Sequence, residues 1–150
     1  MDNQSRRVLA SGAALLLSLI VSLSFYVLTQ QRSVQRVLFF PDGATGLPRG
    51  ESRKIPAQNS REAEVEYLIR ELILGSTLIQ YARALPRDTR VRSVLYRGDA
   101  LFVDFSQHLV LDVGDLVLGF LQTLEIVRRT LEYNYPGVNH IRFSIAGIEA

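Results

Sequence analysis

Three titratable side chains, Asp104, His108 and Asp112, stand four residues apart in the second half of the chain. Carboxylates and imidazoles bind metal ions and transfer protons, so this spacing is the first candidate for chemistry. Residues four apart become close neighbours on one face of a helix. The pattern around Asp104 predicts a strand end and a loop, which does not bring the three together. We therefore predict neither a metal site nor an acid–base pair here.

The other polar residues that attract attention have structural interpretations. In Asp104-x-Ser106, short polar side chains after a strand are expected to bond to nearby backbone N–H groups and to organise a turn. His140 stands alone near the last predicted strand, and we interpret it as a surface or packed residue. Ser76 follows Gly75 at a predicted helix end, so it is not placed as a nucleophile.

No sequence pattern points to catalysis. A Gly-x-Ser-x-Gly elbow, a phosphate-binding glycine loop and a His-Glu metal helix are all missing from the sequence. The 17 basic and 15 acidic residues are interspersed, which indicates a mixed-charge surface rather than a nucleic-acid interface. Without cysteine there is no disulfide and no thiolate metal site. We predict no enzymatic activity, no catalytic, cofactor-binding or metal-binding residues, and no small-molecule substrate.

Interaction is the alternative role for several residues near one predicted helix. Arg128-Arg129 lies late in that helix, where cations suit the helix dipole, and could also bind a partner. Tyr133 and Tyr135 either cover the helix end or join an interface. Phe39-Phe40 is assigned to the core.

Residues 8–28 contain no charged side chain and follow Arg6 and Arg7. As a helix they would span roughly 30 Å, the thickness of the bilayer core. We predict a transmembrane anchor, with residues 1–7 in the cytoplasm by the positive-inside tendency. Residues 29–36 are then a linker, and the rest of the chain lies on the extracytoplasmic side of the cell membrane, periplasmic or outer.

The alternative is a cleaved signal peptide, which also has a basic start and an apolar core. Ser22 and Ser24 are the small residues that could form its cleavage site, although no Ala-x-Ala pattern lies near them. A lipid-anchored lipoprotein is excluded because it needs a cysteine.

The remaining residues, 37–150, predict one α/β domain. Apolar runs and alternating segments bounded by turn residues predict strands, and apolar residues at a spacing of three to four predict helices. The expected fold is a two-layer sandwich in which two helices cover one face of a mixed sheet. Residues 106–114 are predicted as a loop. The predicted strands are 34–40, 51–55, 90–97, 100–105 and 138–146, and the predicted helices are 60–74 and 115–133.

Short motifs follow one another along this predicted domain. They are the opening strand Val37–Asp42, the helix end Leu68–Gly75, the turn Ala84–Thr89, the hairpin Val91–Ser106, the helical segment Ile126–Leu131 and the closing strand Val138–Gly147. In this order they resemble the GerMN domain family of sporulation and spore germination proteins. Ser76 stands where that family usually has proline, and residues 76–84 differ from its commonest loop.

The resemblance implies a domain that is not known as an enzyme and that belongs to membrane or cell-envelope assemblies. It also implies a fold similar to the ring-building domains of secretion-like complexes. The expected function is a membrane-anchored, non-catalytic, extracytoplasmic interaction domain that supports assembly or regulation of a cell-envelope complex, through a protein partner or self-association. The alternative is an exported domain that binds the cell wall after its signal peptide is cleaved.

Overall fold

The structure is a computed structural model that describes residues 3–29, 32–112, 114, 116 and 118–150. Parts of the predicted cytoplasmic N-terminus, of the linker and of the second predicted helix therefore lie outside the described residues. The chain divides into two compact units, Met1–Arg32 and Ser33–Ala150, and each is described by itself.

The first unit contains one helix, α1, which runs over Asn3–Thr29. The uncharged segment 8–28 lies within it, and its side chains are described over residues 11–26, where all are exposed. Exposed residues there include Leu15 and Phe25. Among the helices of the described residues, none is long and apolar enough to cross a membrane.

The second unit is an α/β domain, as the sequence predicts. Its elements are β1 (Ser33–Pro41), β2 (Pro48–Pro56), α2 (Arg61–Leu74), β3 (Val91–Arg97), β4 (Ala100–Phe105), α3 (His108–Leu111), α4 (Phe120–Asn134), β5 (His140–Ile145) and β6 (Ile148–Glu149).

The strands form two sheets instead of the single mixed sheet that was expected. β1 and β2 are an antiparallel pair, and β3-β4-β5-β6 form a mixed sheet in which β4 and β5 are parallel. The outer edge of β1 carries no further strand because α4 lies along it. Thr130 accepts a hydrogen bond from the Phe39 N–H at 3.1 Å, and Asn134 accepts one from the Val37 N–H at 3.0 Å.

One apolar core joins these elements. α2 packs against β1 and β3, and α4 packs against β1, so both helices bury their apolar stripes. The fully buried side chains come from both sheets and from all of the helices of this unit; they include Leu38, Phe40, Ile55, Val65, Leu68, Ile69, Leu72, Leu101, Val103, Phe105, Leu109, Val127 and Leu131.

Local signals set the limits of α2. The Ser60 hydroxyl accepts a hydrogen bond from the Ala63 N–H at 3.1 Å and so caps the first turn. At the other end Gly75 has φ of 95°, a conformation that glycine adopts without steric cost, and its N–H bonds to the Glu71 and Leu72 carbonyls. The predicted helix, 60–74, therefore differs from the observed one by a single residue.

The second half of the domain departs further from prediction. α4 begins at Phe120 instead of residue 115, since Gly119 has extended backbone and its N–H donates to Gln122 Oε1 at 3.0 Å. The short helix α3 lies within the predicted loop 106–114. β5 ends at Ile145, because the turn that follows leads back into β6, a strand that was not predicted.

Candidate functional site

Asp104 is a cross-link between strands. Its Oδ1 accepts hydrogen bonds from the Ser144 hydroxyl and the Gly147 N–H, each at 2.9 Å, and its Oδ2 accepts one from Arg92 Nη1 at 3.0 Å. Asp104 therefore ties β4 to β3 and to the turn after β5. This role is structural, as predicted, but Ser144 and Gly147 lie 40 and 43 residues away and Arg92 lies 12 residues away, so none of these partners is in the next turn.

His108 and Asp112 lie closer together than the sequence indicated. They occupy one helical turn at α3, where His108 Nδ1 is 3.2 Å from Asp112 Oδ2. The His108 side chain is exposed and the Asp112 side chain is half-buried. Asp104 makes its hydrogen bonds elsewhere, so the structure does not bring the three residues together. In the part of the chain that the structure describes, no group of three His, Cys, Asp or Glu side chains could hold a metal ion.

Ser106 forms hydrogen bonds that hold two strands together, and His140 is a surface residue. The Ser106 hydroxyl accepts a hydrogen bond from the Arg90 N–H at 3.0 Å, and the Ser106 N–H donates to the Arg90 carbonyl at 2.9 Å. These bonds fasten the end of β4 to the start of β3. His140 is an exposed residue at the start of β5.

Glu51 forms a buried charged cluster that the sequence did not indicate. Its carboxylate is 7% exposed and accepts hydrogen bonds from Arg53, the Ser76 hydroxyl and the Thr77 hydroxyl. Arg53 also donates to Glu71 at 2.8 Å, which connects β2 to α2. Burial raises the pKa of Glu51, but the hydrogen bonds from Ser76, Arg53 and Thr77 outweigh it and hold the pKa below its ordinary value.

Tyr135 belongs to a second buried polar cluster. Its hydroxyl donates to Glu64 Oε1 at 3.1 Å, and Arg36 Nε donates to the same oxygen at 2.7 Å. Burial, and then the negative charge of Glu64, raise the pKa of the Tyr135 hydroxyl. Of the two roles considered for Tyr135, the structure supports the first, because this side chain covers the end of α4 and joins it to β1 and α2.

Tyr133 faces the other way and is 62% exposed. Its ring meets the edge of Phe39 with centroids 5.6 Å apart, and the Arg129 guanidinium lies 5.0 Å from the Phe39 centroid. We call Phe39, Arg129 and Tyr133 the aromatic–arginine cluster. Phe39 is half-buried and packs against the core, whereas Phe40 is fully buried. The assignment of both phenylalanines to the core therefore holds fully for Phe40 and in part for Phe39.

The two neighbouring arginines of α4 have different surroundings. Arg128 donates to the Ile141 carbonyl at 3.2 Å and lies 5.3 Å from the Phe143 ring centroid, so it fastens α4 to β5. Arg129 is exposed and contacts the outer face of β1 through Phe39. Only Arg129 is therefore placed to meet a partner as part of the aromatic–arginine cluster.

The two sheets and the helices packed on them form a small α/β domain. Residues 37–150 match the family model described as Germane, sporulation and spore germination, and the chain belongs to this family. The resemblance inferred from the sequence motifs is thereby confirmed.

Two solved structures share this fold. One is the first GerMN domain of the sporulation protein GerM from Bacillus subtilis, with a TM-score of 0.60 and 20% identity over 78% of this chain and 86% of that one. The other contains the tandem GerMN domains of the same protein, with a TM-score of 0.65 and 18% identity over 79% of this chain and 41% of that one. Among proteins with curated descriptions, none matches the chain. Neither the family description nor the names of these structures state an enzymatic activity.

Proposed function

We propose that this chain is a membrane-anchored, extracytoplasmic and non-catalytic interaction domain that supports assembly or regulation of a cell-envelope protein complex. The observation that carries this proposal is the exposed aromatic–arginine cluster. Tyrosine, phenylalanine and arginine are enriched at protein interfaces, and tyrosine and arginine dominate the residues that contribute most to binding.

The geometry of the cluster suits recognition of a protein. Phe39 rests on the core, so its ring is held in place before a partner arrives. Tyr133 and Arg129 lie against that ring and keep solvent-exposed surface. A preorganised aromatic surface loses little conformational freedom on binding, which leaves more of the contact energy for affinity.

The proposed location rests on the uncharged N-terminal sequence and on the exposure of its described side chains, and not on a membrane-spanning helix in the structure. Residues 8–28 carry no charge, and the described side chains of α1, residues 11–26, are all exposed. A run of exposed leucine, isoleucine and phenylalanine side chains is favourable only where it meets another apolar phase or surface. Arg6 and Arg7 favour a cytoplasmic start, which would leave the domain outside the cytoplasm. A tether raises the local concentration of partners in the same membrane.

Photo-crosslinking in intact membranes tests the proposal. A photoreactive phenylalanine analogue in place of Tyr133 is expected to form a covalent adduct with a protein of the same membrane. The matched control carries the analogue at Glu132, an exposed neighbour on the same helix that is outside the aromatic–arginine cluster and should give little of that adduct.

The Arg129→Ala variant should reduce the adduct at position 133 without unfolding the domain, because its exposed side chain makes only a ring contact. If position 133 yields only uncrosslinked monomer in intact membranes, the proposed function is wrong. Co-sedimentation of the protein with purified wall material, combined with a mature chain that lacks residues 1–28, would support the exported wall-binding alternative instead.

A further inference from the structure

Side chains of α4 cover the β1 edge of the β1–β2 sheet, whereas the β2 edge is open. Asn134 bonds to both backbone groups of Val37, accepting from its N–H at 3.0 Å and donating to its carbonyl at 2.6 Å. The backbone groups of Val37 therefore point away from β2. Val37 is paired with Ser52, and in an antiparallel pair two opposite residues point their backbone groups either both inward or both outward. The N–H and carbonyl of Ser52 consequently face the free edge of β2.

The same alternation applies along β2. Phe39, whose N–H bonds to Thr130, is paired with Gly50, and Gln35 is paired with Lys54. Gly50, Ser52 and Lys54 thus direct three N–H groups and three carbonyls outward, and all three residues are exposed. Within the described residues, no hydrogen bond is made by these six backbone groups. Such a row of unpaired groups is a template for a further strand.

The other edges of the described sheets are protected. Side chains of α4 bond to the free edge of β1. β3 is irregular, with a shift of register between Val91 and Ser93, and β6 has two residues. β2, in contrast, pairs with β1 over nine residues in continuous register. Proteins commonly blunt their edges with bulges, short strands, covering elements, charged side chains or prolines. β2 is long and has a continuous register, and its protection is limited to basic side chains and a proline at each end, which disfavour a second basic strand but not an acidic one.

The exposed side chains of β2 are basic. Arg49 and Lys54 are exposed, whereas the one acidic residue of the strand, Glu51, is buried and paired with Arg53. A second β2 strand would bring two basic strands side by side, and like charges on neighbouring strands are destabilising. An acidic strand would instead be complementary in charge.

We propose that β2 accepts an extended, acidic segment of a partner protein as an additional strand of the β1–β2 sheet. Main-chain hydrogen bonds to Gly50, Ser52 and Lys54 supply the affinity. Lys54, which lies on the same face as Phe39, selects acidic side chains, whereas Arg49 is paired with Phe40 and lies on the opposite face. This inference rests on the proposed function and names its binding mode. The outward side chains of β2 share a face with Phe39, so the same segment is held beside the aromatic–arginine cluster.

A proline substitution in β2 tests how much the main-chain hydrogen bonds contribute to binding of the added strand. Ser52→Pro removes one outward N–H but no hydrogen bond to β1, since Ser52 points its N–H away from that strand. Ser52→Val is the matched control because it keeps the N–H. Both variants lose the 2.7 Å contact between the Ser52 hydroxyl and Gln35. Equal melting temperatures of the two variants will establish that the domain remains folded.

The experiment uses the full chain in lipid nanodiscs and a synthetic peptide of about eight residues that alternates Glu with Val, a length that matches β2. We expect the peptide to bind and to slow hydrogen exchange at the amides of Gly50, Ser52 and Lys54. Ser52→Pro should weaken binding by about tenfold, and Ser52→Val by less than about twofold, since one main-chain hydrogen bond is at stake. A peptide N-methylated on every residue, which keeps its charges but has no main-chain donors on either edge, should not bind to the wild-type chain.

Several results would overturn the inference. These are absence of binding by the Glu–Val peptide, equal binding of the N-methylated peptide, equal binding of a Lys–Val peptide, and unchanged affinity in Ser52→Pro. A chain dimer that Ser52→Pro dissociates and Ser52→Val does not would identify a second copy as the occupant and would equally overturn it.

The crosslinking experiment at Tyr133 separates this failure from that of the proposed function. If the Tyr133 adduct forms equally in Ser52→Pro and wild type, the interaction domain stands and strand addition is wrong. If no adduct forms at Tyr133 while the peptide binds at β2, the proposed function, which assigns partner binding to the aromatic–arginine cluster, is wrong, and strand addition stands as a property of the β2 edge alone.

Discussion

At the residue scale, the buried carboxylate of Glu51 couples folding to pH. Because its folded pKa is lowered, ionised Glu51 stabilises the domain above the unfolded pKa, near the ordinary value of 4.5. This stabilisation is lost as the pH falls through the lower, folded pKa. We expect the free energy of unfolding to decline as the pH falls below about 4.5, and to decline less steeply in Glu51→Gln.

Urea unfolding of wild type and Glu51→Gln at a series of pH values measures this difference. At neutral pH Glu51→Gln should be less stable by about 1–3 kcal/mol, because Ser76, Thr77 and Arg53 lose a charged acceptor. Glu132→Gln, which changes an exposed carboxylate, is the control and should follow the wild-type profile. If the pH profile of Glu51→Gln also coincides with that of wild type, the assigned role of Glu51 is incorrect.

Single residues also show which side-chain environments could be predicted from the sequence. The apolar run ending in Phe40 predicts a buried residue because alternation and a following turn are local signals. Tyr133 and Tyr135 look equivalent in sequence, yet one is exposed and the other buried. What separates them is Glu64, which lies 71 residues from Tyr135 along the chain and accepts a hydrogen bond from its hydroxyl. Local patterns do not report such a contact.

At the scale of elements, α4 takes the place of a strand along β1. The Asn134 amide bonds to both backbone groups of Val37 and donates to the Thr130 carbonyl at 2.7 Å. Asn134→Ala leaves the Val37 N–H and carbonyl without these partners. We expect a loss of about 1–3 kcal/mol in unfolding free energy, measured by urea denaturation.

Glu132→Ala is the matched control for that variant. Its exposed side chain lies two residues away on the same helix, and its removal should change stability by less than about 0.5 kcal/mol. A stability of Asn134→Ala equal to that of Glu132→Ala would mean that the edge of β1 does not depend on α4.

This arrangement explains which elements the sequence predicts well. The hairpin β3–β4 and helix α2 carry their own signals, namely a Gly98-Asp99 turn, a Ser60 cap and a Gly75 stop. The covering of the β1 edge by α4 carries none, because it is made by Thr130 and Asn134, which lie 91 and 97 residues from their β1 partners. Short elements such as α3 and β6 contain too few residues for a period to be recognised.

At the scale of the whole molecule, the family match identifies the kind of domain, whereas the proposed partner surface has to be argued from the exposed residues of this chain. The match over residues 37–150 establishes the family, and the solved GerMN structures share the fold at about one identical residue in five. A fold does not determine a function. The proposed partner surface therefore comes from features of this chain, the exposed cluster around Phe39 and the open edge of β2, which share one face of the β1–β2 sheet.

The proposed anchor makes a prediction for the whole chain. A mature protein that keeps residues 8–28 should resist extraction from membranes by alkaline carbonate, and its intact mass should include this segment. Leu17→Arg places a charge near the middle of the segment, at a cost of about 2.5–3.5 kcal/mol for insertion. We expect this variant to be extracted, whereas Leu17→Ala, which stays uncharged, remains in the membrane. Full extraction of the wild-type protein, or a mature chain that begins after residue 28, would show that the helix is not a permanent anchor. The aromatic–arginine cluster would then bind its partner as part of a freely exported domain.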